Sequence, residues 1–338
     1  MTQLIDIDGF EVGGNSTYII AEIGSNHNQS LSLAKETIQA AKESGAHAVK
    51  FQSLSLEQLY LSPSKEIVDL HKKIDLEEEW CFELQSYAKK RGVTFFSSPT
   101  YLDAVDLLEN LRVPVFKIAS AQVGTFPQLV RRVAATKKPT IISTGIATTD
   151  ELRKTLEVFN EEMNSGVIVL HCNSIYPTPY DKVILGRIKF FQESFGKIVG
   201  FSDHSEGIYT AIAAVAMGAK VIEKHFAIDR NLPVPDAKFS LEPKVFSQMV
   251  EGIRQTDSSI MSDRRDELEE AESAFKQKIL YRLVAKTTIK AGEKLETRMI
   301  KYLRHDSGID CRLESKFLGR KAINTINMNS LIHESDLN

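Results

Sequence analysis

The chain has 338 residues, 42% apolar and 26% charged, a composition that supports one large globular domain plus a small one. Its formal net charge of −3 offers no bulk-basic surface for nucleic acid, so any anion site has to be local. Three cysteines without paired spacing, Cys81, Cys172 and Cys311, exclude a disulfide framework and suit a reducing compartment. Asp6, Asp8 and Glu11 interrupt any apolar run near the N-terminus, and no stretch is long enough to cross a bilayer. No nucleic acid and no membrane partner is expected, and a cytoplasmic location is.

Residues 4–12 alternate apolar and acidic side chains around Asp8-Gly9, which predicts a β-hairpin. Strand-like and helix-like segments then alternate. The predicted strands are 18–23, 48–52, 94–98, 115–120, 140–144, 167–172, 198–202 and 220–226. The predicted helices are 31–44, 77–90, 104–111, 126–135, 149–159, 182–195, 209–218 and 243–260. The strand cores are continuous apolar runs, as in a parallel sheet buried on both faces. Eight β/α units predict an α/β fold, a (β/α)8 TIM barrel over residues 1–262, with the hairpin plugging its bottom. Residues 263–279 are charged and helix-prone and read as a linker. From residue 280 to 338 the pattern changes to short β-like segments, 281–285 and 299–303 among them, and predicts a small, mostly-β domain.

In such a barrel the polar residues at the C-terminal strand ends are the site candidates. Strand alternation puts Ser202 and His204 on one face, and likewise Glu223 and His225. The Ala-rich stretch between them has the length of a parallel crossover, so two adjacent strands deliver two imidazoles to one rim. That pattern suits a divalent metal with open coordination positions. Glu22, Lys50, Gln52, Ser97, Ser98, Lys117, Ser120, Ser143, His171 and Tyr176 end or follow the other strands. A lysine inside a barrel has to be paired or meet a bound anion, because an isolated desolvated ammonium is costly. Lys50 and Lys117 with several hydroxyls therefore describe an anion pocket, although no Walker loop is present. No Gly-x-Ser-x-Gly elbow supports hydrolase chemistry.

Seven stretches taken together resemble the sialic acid synthase family. They are Ala21-Glu22-Ile23-Gly24-Ser25-Asn26-His27-Asn28, Ala48-Val49-Lys50-Phe51-Gln52, Lys117-Ile118-Ala119-Ser120, Ile142-Ser143-Thr144-Gly145, Tyr176-Pro177-Thr178-Pro179, Gly200-Phe201-Ser202-Asp203-His204-Ser205 and Ile222-Glu223-Lys224-His225-Phe226. The resemblance covers essentially the whole chain, and the last sixty or so residues resemble the family's antifreeze-like (SAF, β-clip) domain. It implies condensation of phosphoenolpyruvate with an N-acetylated hexose to a nonulosonic acid, for surface-polysaccharide biosynthesis. It implies that His204 and His225 hold Mn²⁺ (or Mg²⁺), and that Lys50, Ser98, Lys117, Ser120, Ser143 and Ser202 bind phosphoenolpyruvate. Glu22 is implied as general base or water-positioning residue, and Gln52, Tyr176 and Asp236 as sugar-end residues. It further implies that Arg304 reaches the partner's sugar site in a domain-swapped homodimer.

Arg304-His305-Asp306, Gln122, Ser174 and Pro235-Asp236-Ala237-Lys238-Phe239-Ser240 depart from the N-acetylneuraminate synthase pattern, the last resembling pseudaminic acid synthases more. These departures leave the acceptor open among N-acetylmannosamine and 2,4-diacetamido-trideoxyhexoses. Two other readings stay in view: a phosphoenolpyruvate-condensing barrel that makes a 3-deoxy sugar acid from a phosphorylated aldose, and a non-catalytic sugar-phosphate binder. The first would need extra basic residues for a second phosphate. Asp203 is expected to orient His204 or its loop, His27 and Asn26 to support Glu22, and His171 and Cys172 to be core strand ends.

Overall fold

The computed structural model describes residues 4–260 and 267–338. The chain divides into two compact units, Met1–Met261 and Ser262–Asn338.

In the first unit a hairpin of β1 (Ile5–Ile7) and β2 (Phe10–Val12) turns at Asp8 and Gly9, both with positive φ. Eight parallel strands follow: β3 (Tyr18–Gly24), β4 (Ala48–Ser53), β5 (Thr94–Pro99), β6 (Phe116–Ile118), β7 (Thr140–Ser143), β8 (Val167–Cys172), β9 (Ile198–Asp203) and β10 (Val221–His225). Their order is β5-β4-β3-β10-β9-β8-β7-β6, with β5 and β6 approaching each other at its two ends. The sheet is a nearly closed barrel, which leaves few unpaired edges. Every residue of these eight strands is buried except Gln52, which is half-buried. That explains the unbroken apolar runs: one face packs the barrel interior and the other packs helices.

The helices close over the strands through ordinary local signals. Ser30 caps α1 (Leu31–Glu43) by accepting from the Leu33 N–H, and Thr148 with Glu151 forms a capping box on α7 (Thr149–Glu161). Pro127 and Pro243 stand in the first turns of α6 (Pro127–Ala135) and α11 (Pro243–Ser259), where their missing N–H costs nothing. The helices α4 (Glu78–Arg91), α5 (Leu102–Asn110) and α10 (Tyr209–Ala216) agree with expectation to within a turn. Two differences stand out. Residues 182–195, expected as one helix, form α8 (Tyr180–Val183) and α9 (Arg187–Phe195), separated at Ile184, whose backbone is left-handed. Two helices, α2 (Leu56–Leu59) and α3 (Lys65–Ile74), lie in a crossover that sequence analysis left unassigned.

Two long-range polar ties hold the barrel bottom. Thr94 Oγ1 donates to Asp8 Oδ2 at 2.9 Å, binding the hairpin to β5. Asp257, on α11, accepts from both the N–H and the hydroxyl of Thr17 at 2.8 Å. The expected linker, 263–279, lies partly outside the described residues, and within it α12 (Glu270–Lys278) is helical. In the second unit, β11 (Tyr281–Ala285) pairs antiparallel with β12 (Ile300–Arg304). Isolated bridges such as Ile289↔Ile326 and Ala322↔Leu337 extend the pairing around a core that includes Leu283, Ile289, Leu295, Ile309 and Ile332.

Gly200 on β9 marks a point where strand packing allows no side chain. A Cβ there would collide with the Val221 carbonyl oxygen and sit 2.6 Å from Leu170 Cδ2. Gly200→Ala is therefore expected to lose about 1–3 kcal/mol of stability by overpacking, read as a lowered urea midpoint at unchanged m-value.

Candidate active site

The C-terminal strand ends open into a cavity of about 460 Å³. Its lining includes Glu22 from β3, Lys50 and Gln52 from β4, Ser98 from β5, Lys117 from β6 and Ser143 from β7. Cys172 from β8, Ser202 from β9 and Glu223 with His225 from β10 complete the strand contribution. Ser120, Gln122, Ser174, Tyr176 and His204 reach it from the turns that follow strands. Of the residues singled out from sequence, Asp236 is not part of this lining, and its Oδ2 is 3.8 Å from His225 Nδ1. Arg304 belongs to the second unit, where its guanidinium lies over the Tyr281 ring at 5.4 Å. All the others in the implied catalytic, phosphoenolpyruvate and sugar sets line this one cavity.

The floor is a cluster of four buried charges. Strand register places Glu22 beside Lys50, and their side chains pair at 2.7 Å. Glu223 lies between the two lysines, its carboxylate 3.9 Å from Lys50 and 3.6 Å from Lys117. Ser202 also donates to it at 2.9 Å. Burial pushes the Glu22 carboxyl up, Lys50 offsets part of that, and Glu223 adds to it, leaving it at about 7. Glu223 ends below the usual carboxylate range because the two lysines outweigh its own burial. Burial would lower Lys50, but Glu22 and Glu223 hold it above the ordinary lysine value. Lys117 stays below that value, since burial and the nearby Lys50 outweigh Glu223. Glu223 was named in sequence as a strand-end residue and given no role; its phase with His225, two residues on, was the available signal.

Beside this floor stand the two imidazoles, ring centroids 5.3 Å apart. His204 Nδ1 is 2.6 Å from the Asn173 carbonyl, so that nitrogen carries the proton and Nε2 keeps the lone pair in the neutral ring. Burial opposes charge on His204, yet Cys172, the Asn173 carbonyl and Glu223 raise its pKa, which is a setting that favours positive charge. Burial and the nearby cations keep His225 neutral, and its buried Nδ1 has no hydrogen-bond partner. With both rings neutral, His204 Nε2 and the unpartnered His225 Nδ1 are lone-pair donors of the kind a divalent metal takes. Among the described residues no group of three or more His, Cys, Asp or Glu forms a ready metal cage. A metal held here would keep positions open for substrate or water.

Supporting contacts lie outside the cavity. Asp203 accepts from the Ser205 N–H, the Ser205 hydroxyl and Thr210, and pairs with Lys224 at 2.8 Å. This network fixes the turn that carries His204. Asn26 donates to the Phe226 carbonyl and to Ser240, tying the end of β3 to the end of β10. His27 packs near Trp80 and Phe51, and His171 bonds the Val183 carbonyl at 2.5 Å and stacks on Phe201. Cys172, read from sequence as a core position, lies 3.8 Å from His204 Nδ1 and reaches the cavity.

The family model described as the NeuB family matches residues 37–265. The chain belongs to the NeuB family. Among curated proteins it is 40% identical to uncharacterized protein MJ1065 of Methanocaldococcus jannaschii, over 96% of this chain and 95% of that one. It is 37% identical to the pseudaminic acid synthase of Campylobacter jejuni, over 94% of this chain and 96% of that one. The solved N-acetylneuraminic acid synthetase of Leptospira borgpetersenii superposes with a TM-score of 0.76 at 31% identity, covering 82% of this NeuB-family chain and 96% of that one.

Within this family member the floor is balanced so that removing one charge exposes another. Glu223→Ala leaves both buried lysines with Glu22 alone and is expected to cost about 3–5 kcal/mol in chemical denaturation. Replacing the exposed Glu193 should change stability by less than about 0.5 kcal/mol in the same measurement.

Proposed function

We propose that this chain is a nonulosonic acid synthase that condenses phosphoenolpyruvate with the open-chain form of an N-acetylated hexose. The observation that carries this reading is the convergence of Lys50 and Lys117, with a ring of hydroxyls, on the floor of a cavity that His204 and His225 also line. The family membership and the names of the relatives support the same class of reaction. The reaction proposed is attack of phosphoenolpyruvate carbon 3 on the acceptor aldehyde, addition of water at carbon 2, and loss of phosphate with C–O cleavage.

In this reading Lys50 and Lys117 neutralise the phosphate and carboxylate of phosphoenolpyruvate. Ser98, Ser120, Ser143 and Ser202 supply hydroxyl donors. Ser143 Oγ is buried with no partner, and Ser120 Oγ accepts from the Gly145 N–H at 2.8 Å and so keeps its own proton to give. Glu22, near the working pH, takes a proton from water, and Gln52 donates to its Oε1 at 2.7 Å and holds its orientation. His204 and His225 would hold Mn²⁺ (or Mg²⁺), which supplies a Lewis acid for the aldehyde oxygen. Arg304 is proposed to bind the sugar across a homodimer, as the resemblance implies.

The uncharged part of the cavity lining bears on the acceptor. Leu54, Leu59, Tyr60 and Ile146 line it with Gln52, Gln122, Ser174 and Tyr176, and no lysine or arginine is among these described residues. Apart from the Arg304 proposed to reach the sugar, a second phosphate would find no cation there, which weakens the case for a phosphorylated aldose. The apolar residues match the methyl groups of a 2,4-diacetamido-2,4,6-trideoxyhexose better than the hydroxymethyl of N-acetylmannosamine.

Phosphate release from phosphoenolpyruvate with Mn²⁺ tests the reading against N-acetylmannosamine and the manno and altro isomers of the diacetamido sugar. Turnover with a diacetamido sugar, lost by about 10³-fold or more in His204→Ala, is the expected result. A folded protein that releases no phosphate with any of the three would overturn it. The acidic limb of kcat/KM should rise through about pH 7 as Glu22 ionises, and should flatten in Glu22→Gln.

A further inference from the structure

A second cavity, of about 630 Å³, lies at the opposite end of the barrel from Glu22 and has no part in the reaction proposed above. The hairpin turn forms one wall (Ile7, Asp8, Gly9, Phe10), and the start of β3 and β5 forms another (Tyr18, Thr94, Phe95). The ends of α1, α4 and α5 form the rim, with Lys42, Lys89 and Arg112. It falls in the size range of small-molecule sites.

Its chemistry is asymmetric. At the inner wall three rings gather: Phe10 lies 4.7 Å from His47 and 5.0 Å from Tyr18, and Tyr18 stacks on His47 at 5.6 Å with 12° between planes. Two of these rings also present donors. His47 Nδ1 accepts from the Ile19 N–H, which leaves the ring proton on Nε2, and burial keeps the imidazole neutral with its pKa near 4. The Tyr18 hydroxyl is buried next to Thr94, whose own hydroxyl donates to Asp8 and keeps acceptor capacity within reach of the phenol. A ligand acceptor of good geometry would compete for the phenol proton. At the outer rim there are three cations and one acid. Lys42 is committed to the Gly92 carbonyl at 2.6 Å, and Asp8 to Thr94. Lys89 and Arg112 pair with no carboxylate among the described residues.

We propose that this cavity is a second binding site, for a small metabolite with a planar ring and a phosphate or carboxylate. The ring packs against Phe10, Tyr18 and His47, a polar atom of the ligand accepts from Tyr18, and the anionic group meets Lys89 and Arg112. The same strand carries Tyr18 at this cavity and Glu22 at the other, with only Ile20 between them on the inward face. Hairpin and strand are thus the elements a bound ligand would stiffen.

The test uses the full chain and titration calorimetry with four probes: uridine monophosphate, benzoate, uridine and inorganic phosphate. The proposal expects one of the two ring-bearing anions to bind more tightly than either uridine or phosphate, and which one binds tells phosphate from carboxylate recognition. Arg112→Ala and Lys89→Ala should each raise its Kd by about tenfold, the loss of one charge-assisted contact. Tyr18→Phe should weaken binding while keeping the fold, read as a melting temperature without ligand close to that of the parent. Both rim variants should keep phosphate-releasing activity, which shows that they fold. Saturating phosphoenolpyruvate should leave the calorimetric Kd measurable, which separates this site from the catalytic cavity. Binding no tighter than phosphate alone, or binding indifferent to Arg112 and Lys89, would overturn the proposal and leave the cations as partners of the helix ends only.

Discussion

Everything at the catalytic end depends on four charges that the barrel has taken out of water. A barrel interior is ordinarily filled with Val, Ile and Leu, and each ion placed there carries a desolvation cost of several kcal/mol. Glu22, Lys50, Glu223 and Lys117 are tolerated because each faces an opposite charge within 4 Å. Glu223 is the centre of the set, since both lysines and the Ser202 hydroxyl converge on it. The arrangement leaves one carboxyl, that of Glu22, poised near neutrality while the other remains ionised. Two acids in one pocket with opposite shifts is the usual way an active site separates their duties.

That cluster demands rigidity from its surroundings, and the fold supplies it by register. Glu22 pairs across β3 and β4 with Lys50, and His225 pairs across β10 and β3 with Glu22. A slip of one residue on any of these strands would turn its charge toward the helices and leave another unpaired. The turns above the strands are held by contacts that never reach the cavity. The Asp203–Lys224 pair is one, and the Asn26 bridge from β3 to β10 is another. The barrel therefore has an apolar middle, a charged top and a bottom sealed by the hairpin through Asp8 and Thr94.

Much of this was legible in the order of residues. The continuous apolar runs located all eight barrel strands, and alternation within each run identified which polar residue faced inward. Asp8-Gly9 located the hairpin, whose turn does adopt the positive φ those residues favour. The two helices between β4 and α4 were not legible, because α2 is a single turn and α3 buries only His71. The division of α9 from α8 depends on a left-handed residue, Ile184, that no propensity argument selects. Cys172 carried too little pattern of its own to receive a role, and the phase of Glu223 with His225 gave its direction but not its partners, which come from other strands.

By itself the sequence determined the barrel, its inward-facing polar residues and the resemblance that names its family. These follow from local periodicity and from motifs, both of which are properties of short stretches. Only the tertiary structure decided how the lysines and acids divide their pairings, that Glu22 rather than Glu223 is the acid held near neutrality, and that Phe10, Tyr18 and His47 gather at the barrel bottom. Those are outcomes of distance and desolvation between strands far apart in the chain. Burial energy depends on what surrounds a group in space, and no single stretch of sequence contains its own surroundings.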